Sequence, residues 1–362
     1  MEPLGRDLLG LTATELVEYL SSLGEKPYHG LQLYRALYHQ RQFNLRAITE
    51  LSKSLREKLS RCSITLPKLH TRQQALDGTE KYLLQLEDGE KIECVLIPEK
   101  RRNTLCISTQ VGCPLDCRFC LTAMLGSRRN LTSGEIIGQI LYVIRDKELR
   151  LKSSRPGAVF KLTNVVLMGM GEPLLNLKNV IKSLVIMADP QGLALSPRRI
   201  TLSTVGLIPQ ITQLAHAPIL PNLAISLSAT TNAVRDHLIP VNRKYPIQDV
   251  LQACAQFPLK RGQKITFEYV LIGGVNDSDN DARRLVKLLA SIRSKVNLLP
   301  LNPGKINGLT SASTKRMSQF REILVAKGLS AYIRQPRGSD IFAACGQLHL
   351  TEQTCHSPLV AG

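Results

Sequence analysis

Residues 112–120 of the chain read Gly112-Cys-Pro-Leu-Asp-Cys-Arg-Phe-Cys120, which gives Cys113, Cys117 and Cys120 a C-x3-C-x2-C spacing. Three thiols on one short loop indicate a metal site. A structural zinc ion needs a fourth protein ligand, and no histidine lies near this loop in the sequence. A [4Fe–4S] cluster held by three thiolates instead keeps one iron open for an external ligand. The loop therefore favours a cluster, with zinc completed by the upstream Cys106 as the alternative.

Strands and helices alternate on both sides of this loop. Thr132 and Glu135 fit a capping box, and a run of isoleucines follows it at helical spacing. Runs of β-branched and apolar residues predict strands at 104–108, 164–168, 199–203, 222–227, 265–271, 295–299 and 331–334. Such alternation predicts an α/β fold with a parallel sheet, open or closed into a barrel. Ligands in these folds bind at the carboxyl ends of the strands, where the candidate motifs lie.

The residues before the first of these strands have a different pattern. Thr12 and Glu15 fit another capping box, and helical spacing continues to about residue 60. Asp88-Gly89 lies between two alternating runs at 81–86 and 91–97 and predicts a β-hairpin. We therefore expect a helical accessory domain at 1–60, a short antiparallel element and linker at 61–99, an α/β domain at 100–350 and a tail at 351–362.

Composition narrows the class of partner. The chain has 362 residues with 47 Lys and Arg against 29 Asp and Glu, a net charge of +18 that predicts a polyanionic partner such as RNA. Apolar runs are too short to span a bilayer, and the first residues do not have the pattern of a signal peptide. We expect a cytoplasmic protein whose nine cysteines are ligands or reactive thiols rather than disulfides. Basic pairs recur at 100–102, 128–129, 198–199, 243–244, 260–261 and 283–284, and we expect them to form a phosphate-binding surface.

The cysteine loop, with Phe119 before its third cysteine, resembles the radical S-adenosylmethionine superfamily. Further motifs resemble the adenine-methylating RNA methyltransferases within it: Thr104-Leu-Cys-Ile-Ser-Thr-Gln-Val-Gly-Cys113, Arg129-Asn-Leu-Thr132, Met168-Gly-Met-Gly-Glu-Pro-Leu-Leu-Asn176, Thr201-Leu-Ser-Thr204 and Ala344-Cys-Gly-Gln347. The resemblance covers about residues 93–348. It implies a partial (βα)6-type barrel, with a [4Fe–4S] cluster on Cys113, Cys117 and Cys120 whose open iron binds S-adenosylmethionine.

The resemblance also implies a role for each candidate site residue. Cys345 takes a methyl group from one S-adenosylmethionine, and a 5′-deoxyadenosyl radical from a second molecule activates that group for addition to adenine. Glu93 is the base that removes the ring proton, and Cys106 releases the covalent intermediate by forming a disulfide with Cys345. The contacts to S-adenosylmethionine that the resemblance implies are Gly171, Glu172, Ser203, Ser226, Leu227, Ser228 and Asn302. Many relatives have histidine at position 228, and the residues after Cys120 are less polar here than is usual.

Two subfamilies share this machinery, and one methylates adenine at C2 whereas the other methylates it at C8. Val111-Gly112 and the Gly171-Glu-Pro-Leu-Leu-Asn176 segment resemble the C2 type, which acts on 23S rRNA and on tRNA beside the anticodon. The alternatives are the C8 enzyme, which confers antibiotic resistance, and a zinc-stabilised RNA-binding protein without catalysis. An external electron donor and a thiol reductant are implied, and no membrane partner is expected. The sequence does not indicate an oligomeric state.

Overall fold

In the computed structural model, residues 6–154, 159–302 and 305–350 are described. The tail expected at 351–362 lies outside them. The helices are α1 (Ala13–Ser22), α2 (Pro27–Tyr38), α3 (Lys53–Lys58), α4 (Ser133–Ser154), α5 (Leu177–Ala188), α6 (Ile208–Ala215), α7 (Asn232–Leu238), α8 (Ile247–Gln256), α9 (Asp279–Leu289) and α10 (Thr314–Ala326). The strands are β1 (Lys68–Gln74), β2 (Glu80–Gln85), β3 (Lys91–Glu99), β4 (Arg102–Cys106), β5 (Gln110–Gly112), β6 (Ser127–Asn130), β7 (Asn164–Leu167), β8 (Ile200–Thr204), β9 (Asn222–Ser226), β10 (Ile265–Leu271), β11 (Ser294–Pro300), β12 (Lys305–Ile306), β13 (Leu309–Thr310) and β14 (Ala331–Ile333).

Ten of these strands form one mixed sheet in the order β1-β2-β3-β4-β7-β8-β9-β10-β11-β14. From β4 to β14 every neighbouring pair is parallel, and helices cross between most of these strands, as in a partial barrel. The predicted α/β architecture is therefore confirmed. The predicted hairpin is present as β2 and β3, and it continues the barrel sheet by antiparallel pairing of β3 with β4.

Strand β4 starts and ends two residues earlier than its predicted range. A turn at residues 100–101 lets β4 pair with β3 from Arg102 onward. At the other end, the side-chain amide of Gln139 binds both backbone groups of Ser108, with N–O distances of 2.9 Å to its N–H and to its carbonyl. Because these groups are satisfied by a helix side chain, the chain leaves the sheet there and turns toward the cysteine loop.

Both predicted capping boxes are present, at Thr12 with Glu15 and at Thr132 with Glu135. The N-terminal helices pack on α4 through a close backbone approach. A Cβ atom on Gly10 would lie 2.1 Å from the backbone nitrogen of Gly134, so a larger residue cannot be placed there. The fully buried hydroxyl of Tyr38 bridges the same segment, accepting from the Gly10 N–H and donating to the Leu11 carbonyl, both at 2.9 Å. No helix in the described ranges is both long and apolar enough to cross a membrane.

Candidate active site

The cysteine loop is closed at its base by the β5–β6 hairpin. The Cys113 N–H donates to the Gly126 carbonyl at 2.8 Å, so that the loop returns to its own starting point. At Gly112 the backbone has a φ of +74°, and a Cβ atom would lie 1.9 Å from the same carbonyl oxygen. Only glycine fits this close approach, which explains the glycine before the first cysteine.

All three loop cysteines line one cavity. Burial raises the pKa of Cys113 to about 12 and also raises the pKa of Cys117, and the neighbouring cysteines add to both shifts. As free thiols, Cys113 and Cys117 therefore stay protonated near neutral pH, and they would ionise when a metal supplies positive charge. Among the described residues, no three His, Cys, Asp or Glu side chains are close enough to hold a single ion. Three thiols around one cavity fit a multi-iron cluster, in which each thiolate binds a different iron.

The cavity lies at the carboxyl ends of the parallel strands. Its volume is about 1040 Å³ when the open space at its mouth is included. Six of the predicted cofactor contacts and the predicted methyl carrier line it, namely Gly171, Glu172, Ser203, Ser226, Ser228, Asn302 and Cys345. Five neighbouring strands of the sheet, β7 to β11, thus contribute residues to one site, as the strand-end rule predicts.

Glu172 is the buried carboxylate of this cavity, and burial raises its pKa to about 7. Its two oxygens accept from the backbone N–H groups of Leu174 and Val205, each at 3.0 Å. Its own N–H donates to the side chain of Gln110 at 2.8 Å. Gly171 allows this contact, because its φ is +94° and a Cβ atom would lie 2.5 Å from the Gln110 side chain. The carboxylate is held rigidly where it can accept a further hydrogen bond from a ligand amine.

Leu227 does not line the cavity, although its two neighbours do. Its side chain is fully buried in the core, and its backbone N–H is used by the Glu268 carbonyl. Ser228 has a φ of +49°, and its hydroxyl oxygen accepts from the Val270 N–H at 3.2 Å. Strand alternation explains the difference, because successive side chains at a strand end point to opposite faces.

Cys345 is carried into the cavity by a C-terminal segment that packs on the cysteine loop. The Leu121 N–H donates to the Gly346 carbonyl at 2.8 Å, and the Thr122 hydroxyl donates to the Leu348 carbonyl at 2.7 Å. The residue is exposed, but its exposed surface faces the cavity. Surrounding protein raises the pKa of its thiol to about 11, and the nearby Glu268 carboxylate contributes to this rise.

Cys106 ends β4 and lies behind the cavity rather than in its lining. Burial is the main cause that raises the pKa of its thiol, and the next contribution is the charge of Cys345. The two cysteines, 239 positions apart in the sequence, are therefore close enough to interact electrostatically. All cysteines in the described ranges are free thiols.

Glu93 also lies outside the cavity lining and is completely buried on β3. One carboxylate oxygen is 3.0 Å from the ammonium of Lys81, which is itself 2% exposed. The other accepts from the His349 N–H at 2.9 Å. The segment that carries Cys345 therefore covers Glu93, so the predicted base and the predicted methyl carrier share one structural unit.

Two charged residues near the cavity were not identified from the sequence. Glu268 lines the wall opposite the cysteine loop, accepts from the Asn297 amide at 2.9 Å and has its pKa raised by burial. The sequence did contain a signal for Glu268, because it is the one charged residue in the mostly apolar run 265–271. Arg235 is fully buried on α7 behind the loop. A single arginine on a short helix gives no sequence signal for such a position.

The basic pairs do not form one surface, which corrects the expectation from the sequence. Arg128 pairs with Glu90, and Arg129 pairs with Asp88 and Glu135, so that much of this positive charge is neutralised within the protein. The pairs at 198–199 and 260–261 precede β8 and β10 and therefore lie at the amino ends of the strands, away from the cavity. Sequence position alone could not distinguish the two edges of the barrel.

The partial barrel and a cavity lined by three loop cysteines define a radical S-adenosylmethionine protein. The family model described as "Radical SAM superfamily" matches residues 107–286, and the model described as "Ribosomal RNA large subunit methyltransferase N-terminal domain" matches residues 6–64. The chain is 46% identical over 344 residues to the dual-specificity RNA methyltransferase RlmN of Syntrophotalea carbinolica, covering 94% of this chain and 89% of the relative. It is 45% identical over 345 residues to the protein of the same name from Geobacter sulfurreducens, covering 94% and 91%.

A solved structure supports the same relationship. The crystal structure of a radical SAM methyltransferase from Sphaerobacter thermophilus superposes with a TM-score of 0.86 at 41% identity, covering 95% of this chain and 99% of that one. The chain belongs to the RlmN family of radical S-adenosylmethionine RNA methyltransferases. Enzymes of this family use a [4Fe–4S] cluster and S-adenosylmethionine, so the zinc alternative is set aside.

Proposed function

We propose that the chain methylates C2 of adenine in 23S rRNA and in tRNA, using Cys345 as an intermediate methyl carrier. The names of the relatives support dual specificity toward RNA. The observation that carries the mechanism is the position of Cys345, which shares one cavity with Cys113, Cys117 and Cys120 and interacts with Cys106. A methyltransferase that passed the methyl group directly to RNA would not need a thiol at this place.

Cys113, Cys117 and Cys120 would hold the cluster, and Glu172, which lines the same cavity, would accept a hydrogen bond from the amine of S-adenosylmethionine. When bound, these cofactors supply the methyl group and the one-electron chemistry that an electron-poor ring carbon requires. Cys345 then acts as nucleophile. Because the pKa of its thiol is about 11, it must lose its proton as it attacks, and the positive charge of the sulfonium favours that loss.

Glu93 would take the proton that leaves the adenine ring, and the unpaired electron that radical addition leaves on the ring would pass to the oxidised cluster. Its carboxylate has no exposure to solvent and is oriented by Lys81 and the His349 N–H, so it is held in one position. It lies under the Cys345 segment, and we propose that this segment shifts when RNA binds and brings base and substrate together. Fixed groups in a water-poor site are typical of general bases.

Cys106 would release the product from the protein. Its thiolate would attack the sulfur of Cys345, forming the Cys106–Cys345 disulfide while the bond between that sulfur and the new carbon breaks. The electron pair of that bond returns to the carbon, which takes up a proton and becomes the methyl group. An external thiol reductant then restores both cysteines. The interaction between the two thiols supports this role.

We propose the domain division expected from the sequence, with residues 1–60 as an accessory RNA-binding module and 100–350 as the catalytic barrel. The match of a ribosomal RNA methyltransferase N-terminal model to residues 6–64 supports this division. The module is attached through the Gly10–Gly134 contact, so it moves with α4. RNA bound to both parts would present a flipped adenine to the cavity.

Product analysis tests the proposal. The protein, reconstituted without air, is incubated with 23S rRNA and tRNA, and the digested nucleosides are identified by chromatography and mass spectrometry. We expect 2-methyladenosine from both RNAs, no product from Cys345→Ala, and unchanged product from the control Cys62→Ala, a partly buried cysteine that follows the module at 1–60. Finding 8-methyladenosine would replace the C2 assignment by the C8 alternative. Full activity of Cys345→Ala would refute the carrier role.

A further inference from the structure

Arg235 is the largest fully buried side chain of the described residues. Within those residues, no Asp or Glu forms an ion pair with it. Its guanidinium instead donates to neutral oxygens, namely the carbonyls of Val205, Ser226, Leu227 and Tyr245 and the side chain of Asn242. The hydrogen bonds of the guanidinium are thus satisfied, but no carboxylate of the described residues is in contact with it, and the neighbouring Asp236 acts on its charge without a hydrogen bond.

The arginine lies directly behind the cysteine loop. Helix α7, which carries it, is joined to the loop by the Arg118 N–H, which donates to the Leu238 carbonyl at 3.0 Å. Two of its acceptors, Val205 and Ser226, line the same cavity as the three cysteines. Burial lowers the pKa of Arg235 to about 10, and the thiol of Cys117 is the main group that opposes this shift.

A buried charge without a counter-charge costs several kcal/mol. A fold that keeps such a charge beside Cys117 therefore points to an anion in the cavity that Cys117 lines. A [4Fe–4S] cluster with three thiolate ligands is that anion, and it becomes more negative by one charge when it accepts an electron. A fixed cation nearby stabilises the reduced form more than the oxidised form.

We propose that Arg235 is a positioning residue that raises the reduction potential of the cluster by placing a buried positive charge, with no carboxylate of the described residues in contact, near Cys117. In this step one electron passes from an external one-electron donor to the cluster, and Arg235 keeps its proton throughout. The inference rests on the proposed assignment of Cys117 as a cluster ligand.

Redox titration followed by electron paramagnetic resonance tests this role without using activity. In Arg235→Gln, which retains hydrogen bonding but removes the charge, the ratio of reduced to oxidised cluster at a fixed potential should fall about tenfold, equivalent to ~59 mV for one electron. Arg235→Lys keeps the charge and should remain close to wild type. A purely structural role would not make the potential follow the charge.

A second variant avoids removal of the arginine. Asn242 accepts from Arg235 at 3.0 Å and donates to the carboxylate of Asp236 at 2.6 Å. The double variant Asp236→Asn/Asn242→Asp keeps the net charge and the amide–carboxylate pair between the two positions. It puts the carboxylate at position 242, in contact with the Arg235 guanidinium. This double variant should lower the reduction potential of the cluster, as Arg235→Gln does. The control Asn242→Ala adds no charge and should leave the potential unchanged.

If the variants contain the cluster and keep the wild-type reduction potential, Arg235 does not have this role. If Arg235→Gln does not fold, the potential of the Asp236→Asn/Asn242→Asp variant tests the role instead. A wild-type protein that binds no cluster would instead refute the ligand assignment and the inference with it.

Discussion

The ion pair between Glu93 and Lys81 allows the proposed base to be separated from a structural role. Both side chains are buried, at 0% and 2% exposure, and their charged atoms are 3.0 Å apart. In Glu93→Gln the ammonium of Lys81 loses its counter-charge and is left with neutral oxygens such as the Phe342 carbonyl, at 3.4 Å. Breaking a buried pair from one side destabilises by about 3–5 kcal/mol, because a charge remains without compensation. This is a large part of the roughly 5–15 kcal/mol that holds an ordinary domain together.

The double variant Lys81→Met/Glu93→Gln removes both charges. Replacing a buried pair by neutral groups is often close to neutral for stability, so we expect the double variant to recover most of the loss. Anaerobic urea unfolding of the wild type, both single variants and the double variant gives the coupling energy directly. If the double variant is as unstable as the sum of the single variants, the ion pair does not contribute as the structure indicates.

Methyl transfer measured on the same four proteins decides the role of Glu93. A general base contributes typically about 10²–10⁴-fold to a rate, so the double variant should be stable and slower by that factor. Recovery of activity together with stability would refute the base role and leave Glu93 as a structural partner of Lys81.

Other parts of the account make separate predictions. Cys106→Ala should accumulate protein covalently bound to RNA, seen as a shifted band on a denaturing gel, and recovery of only free protein and free RNA would contradict the resolving role. Gly171→Ala would place its Cβ 2.5 Å from Gln110, so it should weaken S-adenosylmethionine binding at least tenfold in equilibrium dialysis, and wild-type affinity would show that this backbone is not needed. Tyr38→Phe leaves a buried N–H and a buried carbonyl without their partner, at about 1–3 kcal/mol each, and an unchanged unfolding midpoint would show that water replaces the hydroxyl.

Local patterns predicted most of the fold and the cofactor end of the site. The strands, both capping boxes and the hairpin follow from residues that are near one another in the sequence. Glu172 and Ser203 were assigned from the family resemblance, and their positions after predicted strands agreed with the rule that strand ends meet at one edge. Cys113 and its two partners were located by spacing alone.

Contacts between distant segments could not be predicted in this way. The approach of Cys345 to Cys106 and the cover that the His349 segment forms over Glu93 depend on how the C-terminal segment packs on β3 and the cysteine loop. The buried Arg235 looks like any helix arginine until α7 is placed against the barrel. The prediction that the basic pairs form one surface was wrong for the same reason, because the edge of the sheet at which a pair lies depends on the tertiary structure.

The fate of the hydrogens in the transferred methyl group tests the central claim most directly. The protein is incubated with RNA and S-adenosylmethionine whose methyl group carries three deuterium atoms, and the mass of the product nucleoside is measured. If Cys345 carries the methyl group and one hydrogen is removed before the carbon bonds to adenine, the product is 2-methyladenosine with two deuterium atoms in its methyl group. A product that retains all three would show that the methyl group was transferred intact and would contradict the account.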